Sequence, residues 1–214
     1  MNLNKLEYED TKSSRRLQGK RLLANNDTCK VELNKEMQLL FTTYEEALEK
    51  ANIALAIFPP YSRSRTLEAS IIQSCFAENL LKNFSDKAFF GKYRRLILRV
   101  KGYLILFKKL NNKGYPMNIK TINVQSILNQ SQILDLFSES DYNDEPILYF
   151  GYQKNRIGEY INPQLIYIDE NEVKFSISEA DVNKQISIQS NLKDDNVIGV
   201  KPKLKESHIL KKVN

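Results

Sequence analysis

Residues 93–110 read YRRLILRVKGYLILFKKL, and they concentrate the chain's most unusual chemistry. Two apolar runs flank Lys101-Gly102, with a basic pair at each outer end, Arg94-Arg95 and Lys108-Lys109. Lys-Gly is a natural two-residue hairpin turn, glycine supplying the positive φ. That loop length sets the register. Val100 then faces Tyr103, Leu98 faces Ile105, Leu96 faces Phe107, Arg99 faces Leu104 and Ile97 faces Leu106. The same count puts Arg95 opposite Lys108 and Arg94 opposite Lys109. Like charges directly opposite cost up to about 1 kcal/mol per pair. The four residues are therefore expected to form one basic cluster, satisfied by solvent, by carboxylates of the same chain, or by an external anion or acidic partner.

The surrounding charge is segregated. Residues 87–134 hold ten basic residues and no acidic one, whereas 135–182 hold three basic and eleven acidic. The acidic stretch ESDYNDEP (139–146) is an internal candidate to neutralise the hairpin. A basic surface that binds nucleic acid is the competing expectation. Tyr93, Tyr103 and Tyr115 lie among these basic residues and would suit stacking on bases.

Other constellations are sparser. Arg63, Arg65 and Glu68 cluster at the start of a helical pattern. Glu68 suits the positive end of the helix dipole and the arginines do not, which implies a capping ion pair or a surface contact. Glu172-Val-Lys174 after Asp169 has the E-x-K spacing of a magnesium-dependent nuclease strand, an acid for the metal and a lysine for the attacking water. Alternating charge on a solvent-facing hairpin gives the same tripeptide, and no second metal-binding acid is identifiable. The only histidine is His208, which excludes histidine triads and multi-histidine metal sites. No glycine-rich nucleotide loop occurs. No metal or cofactor is expected. Cys29 and Cys75 are far apart and read as free thiols of a reducing compartment, Cys75 as a small core residue.

These residues need elements to hold them. The chain has 214 residues, 42% hydrophobic and 27% charged, with net charge +6, as for an ordinary globular protein. No run reaches the roughly 18 apolar residues of a membrane span, and the N-terminus has no apolar signal core, so a cytoplasmic protein is expected. Apolar spacing at Met37, Leu40, Phe41, Tyr44, Leu48, Ala51, Leu55 and Phe58 predicts a helix within 32–58. Its start is either Asn34 or Thr43, the latter by capping-box spacing to Glu46. Pro59-Pro60 ends it. A second helix is predicted over 65–84, capped by Ser62 or Ser64, and a third over 124–137. Strands are predicted at 96–100, 103–107, 147–152, 164–168 and 173–177. Helices first, then hairpins, give an α+β fold: N-terminal helices packed on one side of an antiparallel sheet built from hairpins, without βαβ repeats. The domain reading is a basic, flexible arm at 1–30, one α+β domain at 31–182 and a basic tail at 183–214.

Four stretches taken together carry a resemblance: YSRSRTLEAS (61–70), LFKKLN (106–111), ILYFGYQKN (147–155) and QLIYIDENEVKFSI (164–177). On these the chain resembles a group of small bacterial proteins of uncharacterised activity. Their genes often lie beside one for a helix-turn-helix protein with a zinc-peptidase-like domain. The resemblance implies a toxin–antitoxin or phage-defence module acting through a protein partner, the product of the adjacent gene. By position it singles out Arg65, Glu68, Lys108, Lys109, Gly151 and Tyr152. The longer basic tails of this chain depart from the group. Nucleic-acid binding through 87–120 is the alternative function, and a nuclease using Glu172 and Lys174 a third.

Overall fold

Helical order begins earlier than the apolar periodicity indicates. The computed structural model describes residues 19–119, 121–131 and 144–184. Helix α1, Asn26–Glu32, is capped by Asn25, whose side-chain oxygen accepts from the Asp27 and Thr28 amides. Its Cys29 is fully buried, and burial raises the thiol to about 11. Lys20 bridges to Ser131 in an isolated antiparallel contact, and the Arg21 amide donates to the Gln130 carbonyl at 2.7 Å. The arm expected over 1–30 is thus ordered from residue 19 onward, held by the Arg21 and Leu22 amides, which donate to the Gln130 and Asp144 carbonyls, and by the buried Cys29; residues 1–18 lie outside the described part.

Helix α2 spans Asn34–Ala56 and buries Met37, Leu40, Phe41, Tyr44, Ala47, Ala51 and Leu55 as one stripe. Thr43 is not a cap. Its hydroxyl donates back to the Leu39 carbonyl at 2.6 Å, and the helix continues through it. Helix α3, Arg65–Phe84, starts where Ser64 Oγ accepts from the Leu67 amide. Its Ile72, Cys75, Phe76, Leu80 and Phe84 are buried. Lys50 pairs with Glu78 and Asn83 donates to Thr43, so the two helices run antiparallel. No helix among the described residues is long and apolar enough to cross a membrane.

Six strands follow in sequential order across one sheet: β1 Ala88–Gly91, β2 Arg95–Val100, β3 Tyr103–Lys109, β4 Ile147–Lys154, β5 Tyr160–Asp169 and β6 Glu172–Ser178. All neighbours are antiparallel except β3 and β4, which are parallel. Two parallel strands require a crossover. Here it contains helix α4, Ile122–Leu128, capped by Thr121. The helix expected over 124–137 ends at Leu128, and 132–137 lie outside the described residues.

The crossover changes the expected layering. α1–α3 cover one face, where Leu96, Leu98, Val100, Ile105, Phe150 and Leu165 join their core. Ile97, Leu104, Leu106, Tyr149, Ile166 and Ile168 form a second core on the other face with Ile127 and Leu128 of α4. The α+β class holds, with helices on both sides of a mostly antiparallel sheet rather than on one. Apolar residues at consecutive strand positions, such as 103–106, carry this information: strands buried on both faces read as continuous apolar runs. Of the tail expected over 183–214, only residues 183 and 184 are described; the rest lies outside the described part.

Candidate functional site: a basic cleft where two strands part

The turn of the β2–β3 hairpin forms as the register argument requires. Lys101 and Gly102 both take positive φ, 51° and 77°, the type I′ geometry. Val100 faces Tyr103, Arg99 faces Leu104, Leu98 faces Ile105 and Ile97 faces Leu106. There the pairing stops. The expected pairs beyond it do not form; on its other edge β2 pairs Leu96 with Phe90 and Arg95 with Gly91 of β1, and on its other edge β3 pairs Lys108 with Gly151 and Lys109 with Tyr152 of β4. The β2–β3 ladder ends before the basic pairs, yet Arg95 stays close enough to Lys108 for its charge to act on the lysine.

The pleat then divides the basic group. Alternation along a strand sends successive side chains to opposite faces. Arg95 follows Ile97 onto the α4 face, and Lys108 follows Leu104 and Leu106 there. Lys109 follows Ile105 and Phe107 onto the α1–α3 face. Arg95 and Lys108 thus turn toward α4 and Lys109 toward α1–α3, while Arg94 stands in the turn before β2; all four residues border one cleft where the strands part. Burial, and secondarily the Arg95 charge, lower the pKa of the half-buried Lys108. The neighbouring Tyr149 hydroxyl is pushed up by burial, with Arg95 opposing. Gly151 is required beside them, since a Cβ would stand 2.5 Å from both the Lys108 carbonyl oxygen and the Leu110 side chain.

Tyr93 and Arg94 depart from strand geometry altogether. Both have left-handed backbone, φ 60° and 53°, in the turn between β1 and β2. Such a conformation costs about 1–2 kcal/mol for a residue with a Cβ. Both line a cleft of about 380 Å³ on the α1–α3 side of the sheet. Its walls are Tyr44 of α2, Ile72 and Phe76 of α3, and Phe107, Phe150 and Tyr152 of the sheet, with Arg95, Lys108 and Lys109 bordering it. Among the described residues no acidic side chain lines it. The rings form one network: Phe76 to Phe107 at 4.8 Å, Tyr44 to Phe150 at 5.6 Å, and Tyr44 stacked on Tyr152 at 5.4 Å.

The acidic stretch goes elsewhere, as far as it is described. Glu145 pairs with Arg99 at 2.6 Å, and its carbonyl accepts from Arg21 Nη1 at 3.0 Å. Both contacts sit at the turn end of the hairpin, because Ile147 lies beside Leu104 in the parallel register. Residues 135–143 lie outside the described part.

The remaining sequence candidates separate from the cleft. Arg63 Nε donates to the Phe58 carbonyl at 2.7 Å, closing the chain around Pro59-Pro60, and Arg65 is exposed at the first turn of α3; neither lines the cleft. Glu68 pairs with Lys154 of β4, not with the arginines beside it. Glu172 and Lys174 stand exposed on the edge strand β6 and pair with each other at 2.9 Å. Lys174 holds the Glu172 carboxyl below its ordinary pKa. The adjacent Asp169 is fully buried and lies 3.6 Å from Lys20. Among the described residues no group of three His, Cys, Asp or Glu side chains could hold a metal ion. Of the three tyrosines considered for stacking, Tyr103 is buried and donates to Glu32 at 2.8 Å, and Tyr115 belongs to the opposite face. Only Tyr93, 79% exposed, is at the cleft. The cleft's other rings were not legible as a set, because they come from α2, α3, β3 and β4.

The chain matches no known protein-family model, no curated protein and no solved structure.

Proposed function

We propose that the protein is a nucleic-acid-binding component of a two-gene bacterial module of the toxin–antitoxin or phage-defence type. The observation that supports nucleic-acid binding is the cleft itself, bordered by Arg94, Arg95, Lys108 and Lys109 and lined by no acidic side chain among the described residues. Cations held together without a carboxylate suit phosphates, and arginine and lysine contacts to phosphates release counterions. The test is the salt dependence of binding to single-stranded oligonucleotides. For single strands, log K falls with log salt by about 0.7 for each phosphate contact. Replacing all four residues with Ala should make the slope shallower by up to about 3 and leave the thermal midpoint near its starting value. A wild-type protein that binds no oligonucleotide at low salt, or an unchanged slope in the variant, overturns the reading.

A protein partner encoded by the adjacent gene is the second part of the proposal. The resemblance motivates it, and one observation favours it: Ile53, Ile57, Phe58 and Tyr61 are 68%, 78%, 40% and 91% exposed at the end of α2. Arg63 and Arg65 flank this apolar knob. Exposed apolar patches of this kind mark contact surfaces. The adjacent gene's product should co-purify with the wild type and be lost with Ile57→Ser combined with Tyr61→Ser; failure to co-purify with the wild type removes this part alone.

A further inference from the structure

We propose that the cleft receives a single unstacked nucleobase, its ring against Tyr93, Phe107 and Tyr152 and its flanking phosphate on Arg94 and Lys109. The inference rests on the nucleic-acid reading and names what that site takes.

Size comes first. The cleft, at about 380 Å³, falls among the roughly 300–1,000 Å³ cavities that hold small ligands. A phosphate alone needs no aromatic walls. Here Phe76 and Phe150 are buried as a floor, while Phe107 and Tyr152 are half-buried and keep surface open to the cavity. Rings with cations at their rim are the arrangement that single-stranded nucleic-acid sites use, since every base has a π-face.

A second observation is independent of the rim. Tyr44 lines the cleft and is only 3% exposed, yet its hydroxyl has no hydrogen-bond partner. A buried hydroxyl without a partner is costly, and each such group in a native structure asks for an explanation. Burial holds this phenol well above its ordinary pKa, so it stays a donor. A base edge offers ring nitrogens and carbonyl oxygens that accept, and Gln73, exposed at the rim, adds an amide able to donate and accept.

The backbone at the mouth points the same way. In an ordinary strand, neighbours such as Tyr93 and Arg94 would face opposite sides. Their two left-handed conformations instead place both along one cavity, an aromatic face next to a guanidinium. Strain retained at non-glycine residues gathers at ligand sites.

The test compares an eight-residue oligothymidylate with a chain of equal length and charge in which every base is removed. Fluorescence polarisation reads both affinities over a salt series. The oligothymidylate should bind on the order of 10- to 100-fold more tightly, as base–aromatic stacking provides. Tyr44→Phe, which keeps the ring, and Tyr93→Asn, which tolerates the left-handed backbone, should each shrink that ratio several-fold without altering the salt slope of the abasic chain. Equal affinity for the two chains, with the salt slope intact, overturns the base pocket and leaves the phosphate reading standing. An unchanged ratio in both variants also overturns it. No binding of either chain overturns both.

Discussion

The two ends of the β2–β3 hairpin are built from similar residues and do opposite things with them. At the turn end, Arg99 and the buried Arg21 meet Glu145, and the chain reverses through a type I′ turn. At the open end, Arg94, Arg95, Lys108 and Lys109 meet no acidic side chain in the cleft they border. The ladder stops at Ile97 and Leu106, and the backbone of Tyr93 and Arg94 is left-handed. One end lowers its energy with partners of its own chain. The other holds cations, strain and an unpartnered Tyr44 hydroxyl in one place. A surface that answered only to stability would not keep all three together, so the open end is where an external ligand has most to offer.

The contrast can be broken first at the turn end. Arg21 is fully buried, and burial lowers its pKa to about 10 against the opposing charges of Glu145 and Asp144. Glu145→Gln removes a charge from Arg21 and the ion pair from Arg99. Breaking one partner of a buried charged contact is expected to cost about 2 kcal/mol, read as a lower urea midpoint at unchanged slope. Oligonucleotide affinity should stay the same, because Glu145 lies at the far end of the strand. A fall in affinity as large as that of the four-alanine variant would show that the two ends are not separate devices.

How much of this was legible in the sequence follows from which contacts are local. The hairpin register through Ile97 and Leu106 follows from loop length alone, and the Ser64 cap from residue type. The α+β order came from periodicity. The parallel β3–β4 pair did not, because nothing in 103–109 or 147–154 distinguishes a parallel neighbour from an antiparallel one. That pairing gives β3 a neighbour on its other edge, with Lys108 beside Gly151 and Lys109 beside Tyr152; with the ladder to β2 ending at Leu106, the expected face-to-face charge pairs became a looser group around one cleft. The packing of Arg21 was hidden in the same way: a basic, polar segment reads as an arm until Gln130, Asp144 and Glu145 are seen around it. Basic residues at the hairpin's outer ends were visible; the aromatic walls were not, since no spacing joins four elements.

The smallest effect tests the open end from within. Lys108 is half-buried with Arg95 as its charged neighbour, and both burial and that charge lower its pKa from 10.5. In the window between the lowered folded value and 10.5 the unfolded chain binds more protons, so stability rises with pH there. Below the window the charged lysine is a standing penalty, and above it the penalty is gone. Lys108→Met keeps the apolar stem and removes the charge. It should raise the urea midpoint at pH 7, by about a few tenths of a kcal/mol given the group's solvent screening, and by less at pH 10. In the same variant, oligonucleotide affinity should fall, because the cation that costs stability alone is one that a phosphate would reward. Opposite signs for stability and binding mark a residue kept for a ligand; a midpoint that drops at pH 7, or a gain identical at both pH values, would mean that Lys108 is held by packing of its stem and that the open end is an ordinary strand terminus.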